Sequence, residues 1–258
     1  MNLSVVIITR NEELNLAATL ESVAWASERI VVDSGSTDRT LDVAREHGAK
    51  VFQEDWKGYA EQKNSALAKA SGEWILSLDA DERVSPELAE SIRRAVEGPD
   101  SGIAGYFMAR RNFFLGRWIR RGGFYPDRKL RLFRRGMGRF VARAVHETMQ
   151  VDGPTAVLGG DLIHNAYPTL AGYIETMNRY SSLGAEVATS RGQSNRSLGG
   201  FFINVGARPA ANFVWNYLFR GGFLDGREGL LLHLYHNVYV SWKYAKAWEK
   251  SRGQISHE

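Results

Sequence analysis

Four times in the first hundred residues a short apolar run ends in a polar turn and gives way to a helical pattern. Leu3-Ser4-Val5-Val6-Ile7-Ile8-Thr9 is a continuous run rich in β-branched residues, as expected of a strand covered on both faces, and Leu16, Leu20 and Val23 then recur at helical spacing. Residues 29–32 form a second run ending in Asp33-Ser34-Gly35-Ser36-Thr37-Asp38, where Ser36 or Thr37 can cap a helix that stops at Gly48. Residues 50–53 read as a short third strand, and residues 58–70 as an alanine-rich helix carrying Gln62, Lys63 and Asn64. The fourth run, Trp74 to Leu78, breaks into Asp79-Ala80-Asp81-Glu82 before Ser85-Pro86-Glu87, a helix N-cap with proline at the first helical position. Such alternation predicts an α/β chain with a parallel sheet built from right-handed crossovers.

In a parallel sheet the ends of strands one, two and four lie along one edge, where open α/β sheets bind their ligands. Residues 9–12, 33–38 and 79–81 are therefore expected to surround a single cleft. Two carboxylates one residue apart, Asp79 and Asp81, suit Mg²⁺ or Mn²⁺ when phosphates complete the coordination. An Asp-x-Asp pair by itself also fits an acidic capping turn, and Asp33 could merely cap its own serine-glycine turn. Neither a Gly-x-Gly-x-x-Gly nor a Gly-x-x-x-x-Gly-Lys-Ser/Thr sequence occurs, which argues against dinucleotide and P-loop sites.

The chain has 258 residues, room for one large domain or one domain with an extension, and no cysteine, which removes disulfides, thiolate metal sites and cysteine nucleophiles. No basic segment precedes the first strand, so no signal peptide is expected, and the uncharged stretch from Gly229 to Trp242 is too short to span a bilayer. The expectation is a soluble or peripheral cytoplasmic protein. Formal charge is only +4, but eleven arginines and one lysine lie between Arg110 and Arg143 against one acid, Asp127, interleaved with aromatic residues. Arginine at this density favours phosphate or carboxylate contacts, leaving nucleic acid, anionic lipid and a phosphorylated substrate as candidate partners.

Beyond residue 100 the pattern turns antiparallel, with strands expected over 105–114, 129–133 and 157–164 and a helix over 169–190. Arg191 to Asn195 is the candidate linker, and an aromatic-rich helical extension follows. Its final helix, from about Arg227 to Glu249, carries Leu231, Tyr235, Val238, Trp242 and Ala245 on one face. That face would pack on the domain, on a second copy in a homo-oligomer, or at a lipid–water boundary.

Residues 5–12, Val31-Val32-Asp33-Ser34-Gly35-Ser36-Thr37-Asp38, Leu78-Asp79-Ala80-Asp81 and Lys63-Asn64, in that combination, resemble family 2 glycosyltransferases of the GT-A fold. The resemblance covers roughly residues 1 to 190. Trp56-Lys57-Gly58-Tyr59 and Gly222-Phe223-Leu224-Asp225-Gly226 are similar to the bacterial enzymes that add β-linked glucose to the lipopolysaccharide inner core. It implies a GT-A catalytic domain over 1–190, with a nucleotide-binding half (1–100) and an acceptor-binding half (101–190), and a C-terminal extension over 191–258.

By the same resemblance, Thr9, Glu12 and Asp33 contact the uracil and ribose of a UDP-sugar, with Asn11, Ser36 and Ala80 beside them. Asp79 reaches ribose or a metal-bound water, Asp81 binds a divalent metal, His164 adds a metal ligand, and Lys63 approaches the diphosphate or sugar. The family is inverting, so a base must deprotonate the acceptor hydroxyl. Glu147 is the candidate, in Val145-His146-Glu147-Thr148, where many relatives carry Glu-Asp; His146 is either the base itself or its orienting partner. The basic stretch has two uses open to it, Arg128 or Arg131 reaching the diphosphate and Arg117, Arg120 and Arg121 facing an anionic acceptor.

The expected activity is transfer of a hexose, glucose from UDP-glucose foremost, onto a lipopolysaccharide-core or lipid-linked saccharide at the cytoplasmic membrane face. A sugar-phosphate nucleotidyltransferase is the enzymatic rival, although Thr9-Arg10-Asn11-Glu12 lacks that class's glycine-rich loop. A nucleic-acid-binding module built on the arginine-aromatic segment is the rival of another kind, and it leaves the acidic strand ends unexplained.

Overall fold

The computed structural model describes residues 2–142, 147–192 and 197–253. The chain opens with β1 (Leu3–Thr9), α1 (Leu16–Ser22), β2 (Glu28–Asp33), α2 (Thr40–Glu46), β3 (Lys50–Gln53), α3 (Tyr59–Ala68) and β4 (Trp74–Asp79). A short β5 (Glu82–Val84) leads into α4 (Pro86–Glu97), whose N-cap is Ser85: its hydroxyl accepts the Leu88 amide, with Pro86 following. Next come β6 (Gly105–Phe114), β7 (Arg117–Trp118), β8 (Asp127–Arg134), β9 (Gly138–Val141), β10 (Thr148–Val151), β11 (Thr155–Tyr167) and α5 (Leu170–Ser190). The remainder is helical: α6 (Leu198–Phe202), a π turn (Ile203–Ala207), α7 (Arg208–Val214), a second π turn (Trp215–Phe219), a 3-10 turn (Gly222–Asp225) and α8 (Gly226–Gly253).

Packing divides the chain into two compact units, Met1–Arg111 with Pro126–Asn165, and Asn112–Tyr125 with Ala166–Glu258. The break that the sequence suggests after residue 190 is not where packing divides the chain. Residues 101–190 are shared out instead, because Tyr173 and Met177 of α5 belong to one apolar cluster with Leu232 of α8.

In the first unit the sheet runs β3-β2-β1-β4-β8-β6-β11-β5, parallel through β3-β2-β1-β4 and antiparallel where β8 joins β4. Alternation along β1 explains the unbroken apolar run. Val5 and Ile7 pack with Leu16, Leu20, Leu88 and Ile92 on the face of α1 and α4, while Val6 packs with Ile30, Ile75 and Ala66 on the face of α3. Covered on both sides, β1 is fixed in register against β2 and β4, which brings Thr9 level with Asp33 and Ile8 level with Asp79.

One irregularity in the antiparallel half matters for the site. Tyr106 of β6 pairs with Leu132, but the next residue, Phe107, pairs with Leu130, so Arg131 is an extra residue on β8. A bulge of this kind re-aims a side chain that the regular pleat would place elsewhere.

In the second unit, the Gly222-Phe223-Leu224-Asp225-Gly226 segment has a structural task. Asp225 is buried, and its Oδ2 accepts hydrogen bonds from the Arg120 and Arg121 amides at 3.0 and 2.8 Å. Gly222 is required there, because a Cβ would come within 2.4 Å of His233. The final helix extends to Gly253 and buries His233, Asn237, Tyr244 and Ala247 besides Leu232, so its inner face is more polar than the aliphatic-aromatic stripe suggests.

Candidate active site

The described residues that the sequence offers for donor, metal and base all belong to the first unit, whereas Arg117, Arg120 and Arg121, offered for an anionic acceptor, belong to the second. Strand β1 ends at Thr9, whose hydroxyl donates to Asp33 Oδ2 at 3.0 Å. Asp33 is fully buried at the end of β2 and accepts the Gly35 and Ser36 amides at 3.0 and 2.9 Å, as well as the Ser36 hydroxyl. Its carboxylate thus organises the turn that the sequence left open as one of its two roles. Asn11 has a left-handed backbone, φ 56°, uncommon for a residue with a side chain, and it is tied across to the same turn. Its amide donates to Ser36 Oγ at 2.8 Å and its Oδ1 accepts the Thr37 amide at 2.9 Å. An open groove beside this turn is lined by Ser34, Gly35 and residues 53–57, including the half-exposed Trp56.

Strand β4 ends at Asp79, which meets two cations. Lys63 Nζ of α3 donates to Asp79 Oδ1 at 2.7 Å, and Arg131 Nη2, displaced by its bulge, donates to Asp79 Oδ2. The same Arg131 nitrogen is 2.7 Å from Glu82 Oε1, and Arg110 reaches that oxygen at 3.1 Å from β6. Glu82 Oε2 in turn accepts the Asp79 amide at 3.1 Å. Burial opposes ionisation of Asp79, yet Arg131 and Lys63 outweigh it and hold the carboxyl well below the usual range. Burial likewise opposes the charge on Lys63, whose side chain is only 6% exposed, but Asp79 and Glu147 keep it cationic.

Glu147 is the second carboxylate on Lys63, with Oε1 2.7 Å from Nζ. Its position just before β10 follows from a side-chain clamp. Asn64 Nδ2 donates to the Phe140 carbonyl at 2.9 Å, and the Phe140 amide donates back to Asn64 Oδ1 at 2.8 Å, so α3 grips β9 much as a neighbouring strand would. The β9–β10 pairing, Val141 opposite Thr148, then sets where Glu147 begins. Burial works against the Glu147 charge and Lys63 reverses it, leaving this carboxyl below its ordinary pKa and ionised at neutral pH. His146 lies outside the described residues.

Asp81 and His164 form a separate pair, His164 Nε2 standing 3.2 Å from Asp81 Oδ2. The antiparallel pairing of β11 with β5 causes this: Leu162, Ile163 and His164 register with Val84, Arg83 and Glu82, and the Asn165 amide bonds the Asp81 carbonyl at 3.3 Å. Ala80 between the carboxylates is buried, its carbonyl accepting the Thr19 hydroxyl at 2.6 Å. Glu12 faces this corner. Burial first, and then repulsion from Asp81, Asp38 and Asp79, raise its pKa against a hydrogen bond from Asn15. Acids that raise one another's pKa favour a cation.

Among the described residues no three His, Asp or Glu side chains gather closely enough to hold a metal unaided. One carboxylate and one imidazole fit a divalent ion that takes its remaining oxygens from a diphosphate and water, the donor set of Mn²⁺ or Mg²⁺ rather than of a closed structural zinc site.

The structure therefore unites Lys63, Asp79, Arg131 and Glu147 directly, joins Asp81 to His164, and groups Thr9, Asn11, Asp33 and Ser36. Arg128 is exposed on β8 and takes no part in the Asp79 contacts. Sequence reasoning missed Glu82 and Arg110. Glu82 stood in the acidic run but read as part of a turn, whereas Arg110 was hidden among eleven arginines. Much of that basic stretch is paired within the fold: Arg110 with Glu82 and Asp127, Arg111 with Asp161, Arg134 with Glu73 and Asp100.

A sheet of this order, with acidic turns at the ends of β1, β2 and β4 and an ionised carboxylate facing them, defines a GT-A glycosyltransferase. The sequence model described as Glycosyl transferase family 2 matches residues 4–151, more than half of the chain, and the chain belongs to that family. It is 31% identical over 255 residues to the lipopolysaccharide core biosynthesis glycosyltransferase LpsC of Rhizobium meliloti (strain 1021), covering 96% of this chain and 92% of that one. The low-salt glycan biosynthesis hexosyltransferase Agl6 of Haloferax volcanii is 36% identical over 108 residues, 40% of this chain and 26% of that one. Among solved structures, the mannosyltransferase PcManGT from Pyrobaculum calidifontis, in complex with GDP-Man and Mn²⁺, superposes with a TM-score of 0.56 at 18% identity, covering 96% of this chain and 88% of that one.

Proposed function

We propose that this chain is an inverting hexosyltransferase that moves a sugar, glucose from UDP-glucose foremost, onto a lipopolysaccharide-core or lipid-linked saccharide at the cytoplasmic membrane face. The observation that carries this reading is the pair of contacts at the end of β4: Asp79 and Glu147 share Lys63, while two residues on Asp81 meets His164. The likeness to LpsC over nearly the whole chain supports the acceptor class.

In this reading Thr9, Asn11, Asp33 and Ser36 shape the nucleoside side of the cleft, and Ala80 closes its floor. Asp81 and His164 would hold a divalent ion, Mn²⁺ or Mg²⁺, which would supply Lewis-acid stabilisation of the departing diphosphate. Lys63 and Arg131 hold Asp79 and Glu147 ionised and in place beside that ion without reorganising during the reaction. Glu147 accepts the proton of the acceptor hydroxyl as that oxygen bonds the anomeric carbon and the bond to the diphosphate breaks. The sugar carries oxocarbenium character at that point, so a weakly basic carboxylate suffices.

The test is UDP-hexose hydrolysis and transfer, with and without metal, in wild type, Asp81→Ala and Glu147→Gln. The expected result is loss of metal-dependent donor binding in the first variant, and retained donor affinity with lost transfer in the second. Unchanged turnover in Glu147→Gln would remove its assignment as base, and no uptake of any uridine compound by the wild type would sink the reading as a whole.

A further inference from the structure

Residues 198–219 of the second unit form an uninterrupted helical path in which α and π turns alternate. Its exposed positions recur four residues apart as the pairs 198/199, 202/203, 206/207, 210/211, 214/215 and 218/219, and the one exposed residue outside these pairs is Arg208, a cation beside the third. None of these pairs holds a charged or hydrogen-bonding side chain other than the indole of Trp215. Leu198, Phe202, Ile203, Trp215, Leu218 and Phe219 are between 52% and 74% exposed, and Gly206, Ala207, Ala210 and Ala211 fill the middle of the stripe. In a regular α-helix, positions four apart drift by about 40° per repeat, so the two ends of this stripe would point away from each other. The two π turns widen the coil and keep the stripe on one side.

The asparagines of the same path are turned from solvent and hydrogen-bonded, and the exposed Arg208 is anchored at its guanidinium. Arg208 donates to Tyr244 OH at 2.8 Å and to Asn204 Oδ1 at 3.2 Å; Asn212 donates to Asn237 Oδ1 at 2.9 Å; Asn216 donates to Asn212 Oδ1 at 2.9 Å. The helix is thus inverted relative to an ordinary surface helix, its asparagines inside and its outward face apolar apart from Arg208. A continuous apolar face of this kind marks a binding surface.

Charge decides among its occupants. The second unit holds thirteen Lys and Arg against six Asp and Glu, a formal +7, whereas the first holds twenty against twenty-three, a formal −3. A second copy docked on this stripe would bring two strongly positive units together. An anionic bilayer would be attracted instead, and tryptophan and phenylalanine beside Arg220 suit its headgroup boundary. No helix among the described residues is long and apolar enough to cross a membrane, so the path would lie in the surface rather than span it.

We infer that the outward face of residues 198–219 is an interfacial docking surface that seats the second unit on an anionic lipid bilayer. This deepens the proposed membrane-face transfer and rests on it for purpose, but its test is independent of donor chemistry.

The full chain is floated with vesicles of phosphatidylcholine mixed with phosphatidylglycerol, and with phosphatidylcholine alone. Wild type is expected to float with the mixed vesicles, about tenfold less with the neutral ones, and less at high salt. The triple variant Phe202→Ser, Trp215→Ser, Phe219→Ser is expected to lose at least about tenfold in partitioning. Its UDP affinity and thermal transition should stay at wild-type values. Should that variant fold poorly, the native chain decides: Trp emission shifts to the blue on vesicle addition, by less in Trp215→Phe. The inference is overturned if the wild type does not float, if the folded triple variant floats equally well, or if sedimentation shows a wild-type dimer that the triple variant dissolves. A chain that floats yet binds no UDP would leave this inference standing and remove the donor reading.

Discussion

Lys63 Nζ lies 2.7 Å from Asp79 Oδ1 and 2.7 Å from Glu147 Oε1, so one buried ammonium holds a strand-end carboxylate and the candidate base together. Replacing it with methionine leaves two carboxylates in a poorly hydrated corner. Lys63→Met is expected to cost roughly 3–5 kcal/mol of stability. Glu147 would also lose the charge that offsets its burial, so its pKa rises. Because Lys63 holds the Glu147 pKa below its ordinary value in wild type, the acidic limb of the transfer rate should move upward in the variant. A pH–rate profile of the two proteins checks the sign.

His164 tests the metal assignment. His164→Ala removes the one nitrogen ligand proposed for the ion, a donor type that Mn²⁺ accepts more readily than Mg²⁺ does. Mn²⁺ affinity in the presence of UDP, read by calorimetry or electron paramagnetic resonance, should fall by about tenfold or more. Activity supported by Mg²⁺ should suffer less than that supported by Mn²⁺.

Asn64 does not touch the reacting groups, yet its clamp on Phe140 sets the hairpin from which Glu147 projects. Asn64→Leu strips both partners from the Phe140 backbone and should destabilise by about 1–3 kcal/mol. Because the nucleoside side of the proposed cleft is built from the ends of β1 and β2, the expected signature is a lower kcat with UDP affinity unchanged. An equal loss of both would mean that the clamp serves the whole unit rather than the base.

Asp127 gives the fold a dependence on acidity. Burial opposes its charge, but Arg110 and Lys129 lower its pKa to about 2. A carboxyl whose folded pKa is depressed contributes stability that is present above its unfolded value and is lost as pH falls through the folded one. Thermal melts of wild type should therefore weaken from about pH 4 to about 2, more steeply than those of Asp127→Asn. Parallel curves for the two proteins would contradict the pairing.

What the sequence made legible follows from how locally each feature is written. The runs ending at Thr9, Asp33 and Asp79 announce themselves by β-branched residues and turns, and parallel order follows from the helices between them. His164 met Asp81 because β11 pairs with β5, a contact between segments eighty residues apart that periodicity does not reveal. The bulge at Arg131 was invisible for the same reason: a residue is extra only relative to its partner strand. Arg128 and Arg131 looked equivalent in the chain and differ entirely in the fold. In the helical extension the aromatic residues were evident, but the inversion of residues 198–219 depends on π turns and on the Asn237 partner in α8 that no spacing rule encodes.

The extra residue on β8 has a further meaning for how such a chain tolerates change. Deleting Arg131 would let Leu130 and Leu132 sit side by side opposite Phe107 and Tyr106, zipping the two strands into an unbroken ladder. The tidier protein would have lost the guanidinium that balances Asp79 and Glu82. Regular pairing and the electrostatics of the cleft pull against each other at that one position, and the strand is built to the second requirement.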